Sequence, residues 1–474
     1  MSLYPWVLKY CRYPTSHPVK VHRPPVDDDL IRLQPCCGGD DGTTFCPDRD
    51  HLHHKLKYFG IASVRILPPQ HLLHPVLPYR CKKDGKLKFP LCASCAERND
   101  NDECVCTDEE RVLEATYCTP EIEAALDVGY QILSVNEVLH WSTSSKYERK
   151  SRNGGLFAEY VNTFLKIKQE ASGLPPEEQY ASLKEYVDTY EFREGIRLDP
   201  NRIRKAAALR TIGKLLLNAF YGKFGQRLTL RASHLVTDIA QLNDILLDPT
   251  KRLVDFHILN EDIMHVETER EELFANADIK TNVVIAAFTA SWGRLKLWNV
   301  MHRLGERLFY TDTDSFIFEE SGDDNEWNPP RGEFLGDLSD ELSCKKCGCR
   351  AEDCEGHWIV EFVACGPKNY AYRLNTGQTV VKVRGFSLNH SASQIINFAT
   401  MKEALIEWYE GGSQPELITV STQIARDKHR ATVYNRKVPK HYGIVYDKNR
   451  VIHGFKTVPH GYRRRDDDDD DKQS

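Results

Sequence analysis

Tyr310-Thr311-Asp312-Thr313-Asp314-Ser315 sets two carboxylates one residue apart, between the strand-forming runs Arg307-Leu308-Phe309-Tyr310 and Ser315-Phe316-Ile317-Phe318. The polar Asp-Thr-Asp suits a turn, so the pattern predicts a hairpin with an acidic tip. Carboxylates this close repel unless a divalent cation neutralises them, and hard oxygen donors suit magnesium or manganese. Acidic turns also occur on surfaces with no ion bound. The tip alone therefore does not separate a metal site for phosphate chemistry from a solvated corner.

A second stretch supplies the context. From Arg204 to Arg227 the chain reads as a helix ended by glycines, and Arg210, Lys214 and Asn218 follow one another at i, i+4 spacing. One face would then carry two cations and an amide, with Leu209, Ile212, Leu216 and Phe220 on the buried side. A cation row is often only a solvated face.

Lys214-x-x-x-Asn218-Ala219-x-Tyr221-Gly222, followed by Tyr310-x-Asp312-Thr313-Asp314-Ser315, resembles motifs B and C of the family B DNA polymerases. Gly366-Pro367-Lys368-Asn369-Tyr370-Ala371-Tyr372 is similar to that family's Lys-x-Tyr element, and Lys382-Val383-Arg384-Gly385-Phe386 to the segment leading into the thumb. The narrower likeness is to the protein-primed branch, in particular the polymerases of Maverick/Polinton transposons. It is carried by Ile66-Leu67-Pro68-Pro69, by His74 to Cys81, by Phe89-Pro90-Leu91-Cys92 and by Gly155 to Lys168.

This resemblance implies an α+β right-hand polymerase fold: an antiparallel palm sheet with helices, helical fingers and a thumb, interrupted by cysteine-rich insertions. The implied reaction is template-directed transfer of a deoxynucleotide to a primer 3′-hydroxyl, with two magnesium ions. Asp314 is the expected main metal ligand and Asp312 its support. Lys168, Arg210 and Lys214 are expected to cradle the triphosphate, Tyr4 to lie beneath the sugar, and Asn218 and Tyr221 to line the base-pair pocket. Ala219 stands where the family commonly has Ser. Lys368, Tyr370 and Arg384 are expected to hold the DNA primer-template, and a terminal protein is the implied primer.

Ser2-Leu3-Tyr4-Pro5 resembles the tail of motif A, whose family form is Asp-x-x-Ser-Leu-Tyr-Pro. Its Asp would precede Met1, so the expectation is a truncated chain with impaired catalysis, lacking the exonuclease domain. Asp27, Asp28 and Asp29 read as a solvated acidic loop and not as a replacement. Two other readings stand beside the polymerase. One is a non-catalytic, zinc-stabilised DNA-binding remnant. The other is metal-dependent phosphodiester hydrolysis, in which the Lys214 helix would have no purpose.

The chain has 474 residues and a formal charge of −6, and the run Asp466 to Asp471 accounts for all six negative charges. The remainder is neutral, so local patches matter more than the total. Between Arg426 and Lys456 nine Lys/Arg stand against Asp427 and Asp447, with Tyr434, Tyr442 and Tyr446 among them, a pattern suited to phosphate contacts. Neither a membrane-length apolar stretch nor a signal pattern occurs, which argues against a membrane partner. Fifteen cysteines, partly in Cys-x-x-Cys pairs, suit a reducing compartment and metal binding better than a disulfide framework. An intracellular protein is expected, nuclear if the source is eukaryotic.

Two cysteine groups have ligand spacing. Cys92-x-x-Cys95 with Cys81 and either Cys104 or Cys106 would make a tetrahedral zinc set. Cys344, Cys347, Cys349, Cys354 and His357 form a denser second candidate, with free thiols on a loop as the alternative. The expected organisation is a truncated palm over 1–30, the motif A tail read as a strand end and its following loop, then palm with the cysteine-rich insertion over 31–149, and fingers over 150–225 as two antiparallel helices. A small β-rich insertion follows over 226–275, then palm over 276–385, thumb over 386–460 and a disordered acidic tail over 461–474. Val283 to Leu304 reads as a palm helix with a core stripe of Ala287, Ser291, Leu295 and Trp298. In the thumb, Ser393 is expected to cap a helix that runs to Gly411 and buries Ile395, Phe398, Leu405 and Trp408.

Overall fold

The computed structural model describes residues 2–35, 52–174, 180–227, 229–259, 261–271, 273, 281–323, 325–342, 356–427 and 432–464. The chain forms two compact units. The first draws on Met1–Tyr221, Val284–Glu341 and Tyr446–Ser474, the second on Gly222–Val283 and Leu342–Val445.

In the first unit, helix α1 (Leu3–Tyr10) is buried on nearly every side. The sequence reading expected a strand end and loop there. Leu-Tyr-Pro-Trp-Val-Leu-Lys-Tyr has no glycine to break a helix, and Pro5 lies in the first turn, where its missing N–H costs no helical hydrogen bond. Four strands follow: β1 (Val19–His22), β2 (Gly60–Leu67), β3 (Leu113–Cys118) and β4 (Gln131–His140). They form an antiparallel sheet in the order β1-β4-β2-β3. Alternation along β2 buries Ala62, Val64 and Ile66, which sit opposite Val138, Val135 and Ile132 of β4. Helix α2 (Ala93–Arg98) lies in the cysteine-bearing insertion, and α3 (Thr119–Leu126) lays Ile122 and Ala125 on the sheet core.

Residues 150–225, expected as two antiparallel helices, form three: α4 (Ala158–Glu170), α5 (Leu183–Glu194) and α6 (Ala207–Phe224). Helix α5 begins at Ser182, whose side chain accepts from the Glu185 N–H, and ends at Gly195 in the left-handed region. Its buried positions 186, 187, 190 and 194 have helical spacing, but they are Tyr, Val, Tyr and Glu, so no aliphatic stripe announces it. Helix α7 (Val283–Leu304) has the expected bounds, and its Leu295 and Trp298 join the sheet core.

The second unit holds a three-stranded antiparallel sheet with Met264–Arg270 between Arg231–Val236 and Lys251–Ile258, in the place expected for a β-rich insertion. A second sheet orders β7 (Ile359–Gly366), β8 (Asn369–Leu374) and β9 (Thr379–Val383), numbered after the hairpin strands β5 (Leu308–Asp312) and β6 (Ser315–Phe318) of the first unit. The expected thumb helix is two helices, His390–Ile395 and Phe398–Tyr409, capped by Asn389 and Asn397 and not by Ser393. The break exposes Ile395, and the buried residues of the second helix are Phe398, Met401 and Ala404. Among the described residues no helix is long and apolar enough to cross a membrane.

Candidate active site

Strands β5 and β6 pair antiparallel with Asp312 opposite Ser315, so Thr313 and Asp314 make the turn expected at this acidic tip. Thr313 has φ +56, in the left-handed region that β-branched residues rarely adopt. Three hydrogen bonds hold it there. The Asp314 N–H donates to the Asp312 carbonyl at 2.6 Å, the Ser315 hydroxyl to the same carbonyl at 3.0 Å, and the Thr313 hydroxyl to Asp312 Oδ1 at 3.0 Å. Both carboxylates are half-buried. Burial raises the Asp314 carboxyl above its ordinary pKa, the neighbouring Glu341 and Asp312 carboxylates add to the rise, and Lys214 opposes it.

Tyr4 of α1 and Tyr221 of α6 stack beside this corner, with ring centroids 3.8 Å apart and planes 16° from parallel. The Tyr4 hydroxyl is pushed up to about 12 by burial first and by its hydrogen bond with Tyr221 second. The charges of Arg294 and Asp314 also reach it, which places Tyr4 within the field of the acidic tip.

Lys168 of α4 faces Arg210 and Lys214 of α6. Burial lowers its ammonium pKa first, and the two like charges lower it further. Gly213 permits this arrangement, because a Cβ there would stand 3.1 Å from Lys168 Cβ and 3.2 Å from its backbone nitrogen. Arg210 Nε donates to Ser172 Oγ at 3.2 Å, and Ser172 in turn donates to the Lys168 carbonyl at 2.7 Å. Three cations held together, one of them partly desolvated, form a strong attractor for a polyanion. A Gly213→Val substitution is expected to separate α4 from α6. The cost is about 1–3 kcal/mol of stability, and a rise of roughly tenfold in the Kd for a triphosphate corresponds to about 1.4 kcal/mol of misplaced contact. Thermal unfolding and fluorescent-nucleotide titration of this variant check both; unchanged values in each would remove the role given to Gly213.

The contact face of α6 differs from the expected one. Leu209 and Ile212 are each 51% exposed, while Gly213 and Leu217 are buried, because the close approach at Gly213 turns that side towards α4. Phe220 stacks on Tyr160 at 3.9 Å, and Asn218 is exposed.

Lys368, Tyr370 and Arg384 belong to the second unit, and the β7-β8-β9 sheet brings them to one end. Lys368 sits at φ +58 in the β7–β8 turn, Tyr370 pairs with Lys382 across to β9, and the Arg384 N–H donates to the Lys368 carbonyl at 2.9 Å. The basic stretch from 426 to 456 is divided between the two units. Asp27 and Asp29 are engaged in their own turn, with Asp27 accepting from the backbone of Asp29 and Leu30, and Asp29 pairing with Arg32 and Lys57.

Cys92 and Cys95 meet both Cys104 and Cys106, their sulfurs all within 4.8 Å of one another. Cys81 is not in this group; its thiol points at the Ala96 carbonyl, 3.6 Å away. The reason is chain direction: Cys81 belongs to the short hairpin Tyr79–Arg80/Leu87–Lys88, which joins the sheet core, whereas the turn after α2 returns 104 and 106 to its start. Cys344, Cys347, Cys349 and Cys354 lie outside the described residues, which leaves His357 alone of that candidate set. Two charged neighbours of the corner lie outside the expected set: Glu341, whose charge acts on Asp314, and Arg294, which acts on Tyr4 while pairing with the buried Glu121 at 2.7 Å. Neither lies in a motif, although Arg294 is a cation beside the core stripe of the expected palm helix.

The sequence pattern of the organellar and viral type B DNA polymerases matches residues 1–316. A probable DNA polymerase of Neurospora intermedia is 22% identical over 413 residues, covering 86% of this chain and 31% of that protein. Phi29 DNA polymerase in its ternary complex with primer-template DNA and incoming nucleotide superimposes with a TM-score of 0.50 at 12% identity, and its orthorhombic crystal form with 0.51 at 13%. Each superposition covers 94% of this chain and 57% of the phi29 chain. The fold is therefore that of the right-hand polymerases of family B. Within that class, the chain belongs to the organellar and viral type B DNA polymerases. It spans about a third of the length of the curated relative and a little over half of the phi29 chain.

Proposed function

We propose that this chain carries the polymerising part of a DNA-directed DNA polymerase, adding deoxynucleotides to a primer 3′-hydroxyl under direction of a template. The observation that carries the reading is that one unit holds the Asp312–Asp314 turn, the Tyr4–Tyr221 stack and the Lys168, Arg210 and Lys214 cluster, with α6 supplying Tyr221 and two of the three cations. The donor set fits magnesium. Two half-buried carboxylates with a third acid nearby carry mutual repulsion that a hard divalent cation would relieve. When bound, the metal would lower the pKa of the primer hydroxyl and neutralise charge on the transferring phosphoryl group.

The chain's own residues do the remaining work. Lys168, Arg210 and Lys214 hold the triphosphate and offset the charge that grows on the departing pyrophosphate. Tyr4, stacked on Tyr221, forms a flat wall for the sugar and excludes a ribose 2′-hydroxyl by size. Asn218 and Tyr221 border the nascent base pair, while Lys368, Tyr370 and Arg384 hold the primer strand. Priming by a terminal protein, as in the Maverick/Polinton group, is the finer reading, supported by the stretches between Ile66 and Lys168 that resemble that group.

Primer extension on a templated duplex, with magnesium and all four deoxynucleotides, tests the proposal. The chain is assayed beside a version extended at its amino end so that an Asp stands three positions ahead of Ser2, the spacing of the motif A form. Templated extension by the chain that carries this Asp is the expected result. Retained DNA binding with no extension by either chain would favour the non-catalytic DNA-binding reading.

A further inference from the structure

We propose that Cys92, Cys95, Cys104 and Cys106 bind one zinc ion as a tetrathiolate, and that this ion seats residues 457–463 on the insertion. The four residues form a buried cluster separate from the apolar core of the sheet. Their geometry is that of a ligand set. Zinc–sulfur bonds of about 2.3 Å in a tetrahedron give sulfur–sulfur edges of about 3.8 Å. Cys95 and Cys106 stand at 3.8 Å, all four sulfurs lie within 4.8 Å of one another, and each thiol is free.

The surroundings are matched to an anionic centre. The Cys95 N–H donates to Cys92 Sγ at 3.4 Å, and Arg98 Nη2 lies 3.3 Å from Cys106 Sγ and 3.8 Å from Cys95 Sγ. Such donors offset the net negative charge of a four-thiolate zinc centre and orient its ligands. Helix α2 buries only Cys95 and Ala96, too little apolar surface to hold the turn without a metal. Soft sulfur donors in tetrahedral array select zinc or iron over magnesium.

Residues 457–463 close over this centre. The Leu91 N–H donates to the His460 carbonyl at 2.7 Å, and Arg463 Nε donates to the carbonyl of Cys104, itself a ligand. Gly461, at φ +92, comes so near that any Cβ would stand 2.5 Å from Cys92 Cβ. The ion would thus fix the surface on which this segment rests.

Elemental analysis of the purified chain, with and without Cys92→Ser, Cys104→Ser and Cys81→Ser, reads the site directly. The two ligand variants are expected to lose one equivalent of zinc, while Cys81→Ser keeps it. Cobalt exchanged into the unmodified chain should show thiolate-to-cobalt absorption that Cys104→Ser lacks. Should the variants fail to fold, chelation of the unmodified chain followed by hydrogen exchange decides the matter. Faster exchange over 88–106 and 457–463, with β2 unaffected, is the expected result. Iron in place of zinc, disulfides in the freshly purified protein, equal zinc loss in Cys81→Ser, or unchanged exchange at 457–463 after chelation would each overturn the proposal.

Discussion

Asp314→Asn, made in the chain extended to carry an Asp three positions ahead of Ser2, is expected to slow primer extension by about a thousandfold or more. Loss of a metal-bridging carboxylate removes several kcal/mol of transition-state stabilisation, and each ~1.4 kcal/mol is a factor of ten. Asp312→Asn should cost less if Asp312 is the supporting ligand proposed above, its carboxylate being already engaged by the Thr313 hydroxyl. The same Asp314 substitution should stabilise the metal-free protein at neutral pH. Burial, then Glu341 and Asp312, hold the Asp314 carboxyl above its ordinary pKa. Below the ordinary value the group is protonated in both folded and unfolded chains and has no effect; above the raised folded value its charge penalises the fold. The variant's Tm advantage should therefore be full at pH 7 and close as the pH falls below about 3.9. Thermal unfolding across that range in chelator, together with extension rates, checks both halves. A rate within tenfold of the parent would dismiss Asp314 as a metal ligand.

The second large effect concerns stability. Glu194 of α5 accepts from Lys9 Nζ at 3.3 Å, from the Tyr10 hydroxyl at 3.0 Å and from the Leu335 N–H at 2.7 Å, and Lys9 also donates to the Glu194 carbonyl at 2.6 Å. The Lys9 and Glu194 side chains are 0% and 2% exposed. Truncating one partner of such a pair leaves the other charge buried and unmatched, at a cost of about 3–5 kcal/mol. Glu194→Ala should shift the urea midpoint accordingly, and Lys9→Met/Glu194→Leu should recover a large part of the loss, because an apolar pair leaves no orphaned charge. A single variant as stable as the parent would show that α1 and α5 do not depend on this contact.

Legibility of the fold followed local chemistry. The hairpin at 308–318 was readable because two strand-forming runs flank a polar turn, and helix 283–304 because its core stripe repeats at helical spacing. Helix α5 was not, since it buries tyrosines and a paired glutamate in place of aliphatic residues. The outward face of α6 carries Leu209 and Ile212, so hydrophobic spacing alone pointed to the wrong side; a glycine, invisible to such a pattern, sets the contact. In the candidate site the cations and acids of the motifs were legible, whereas Glu341 and Arg294 reach it through tertiary packing. The cysteine set was half legible. Cys-x-x-Cys marked two of the four clustered cysteines, but choosing among Cys81, Cys104 and Cys106 required knowing which way the chain turns after α2.

The return of residues 457–463 to the cysteine cluster also has a meaning in time. Arg463 follows Cys104 by 359 residues. At a ribosomal rate of about 5–20 residues per second it is made roughly 20–70 s later. Throughout that interval the newborn insertion holds four thiols with one wall still unsynthesised. Whatever arrives at those sulfurs first, metal ion or oxidant, decides whether the late segment finds its seat.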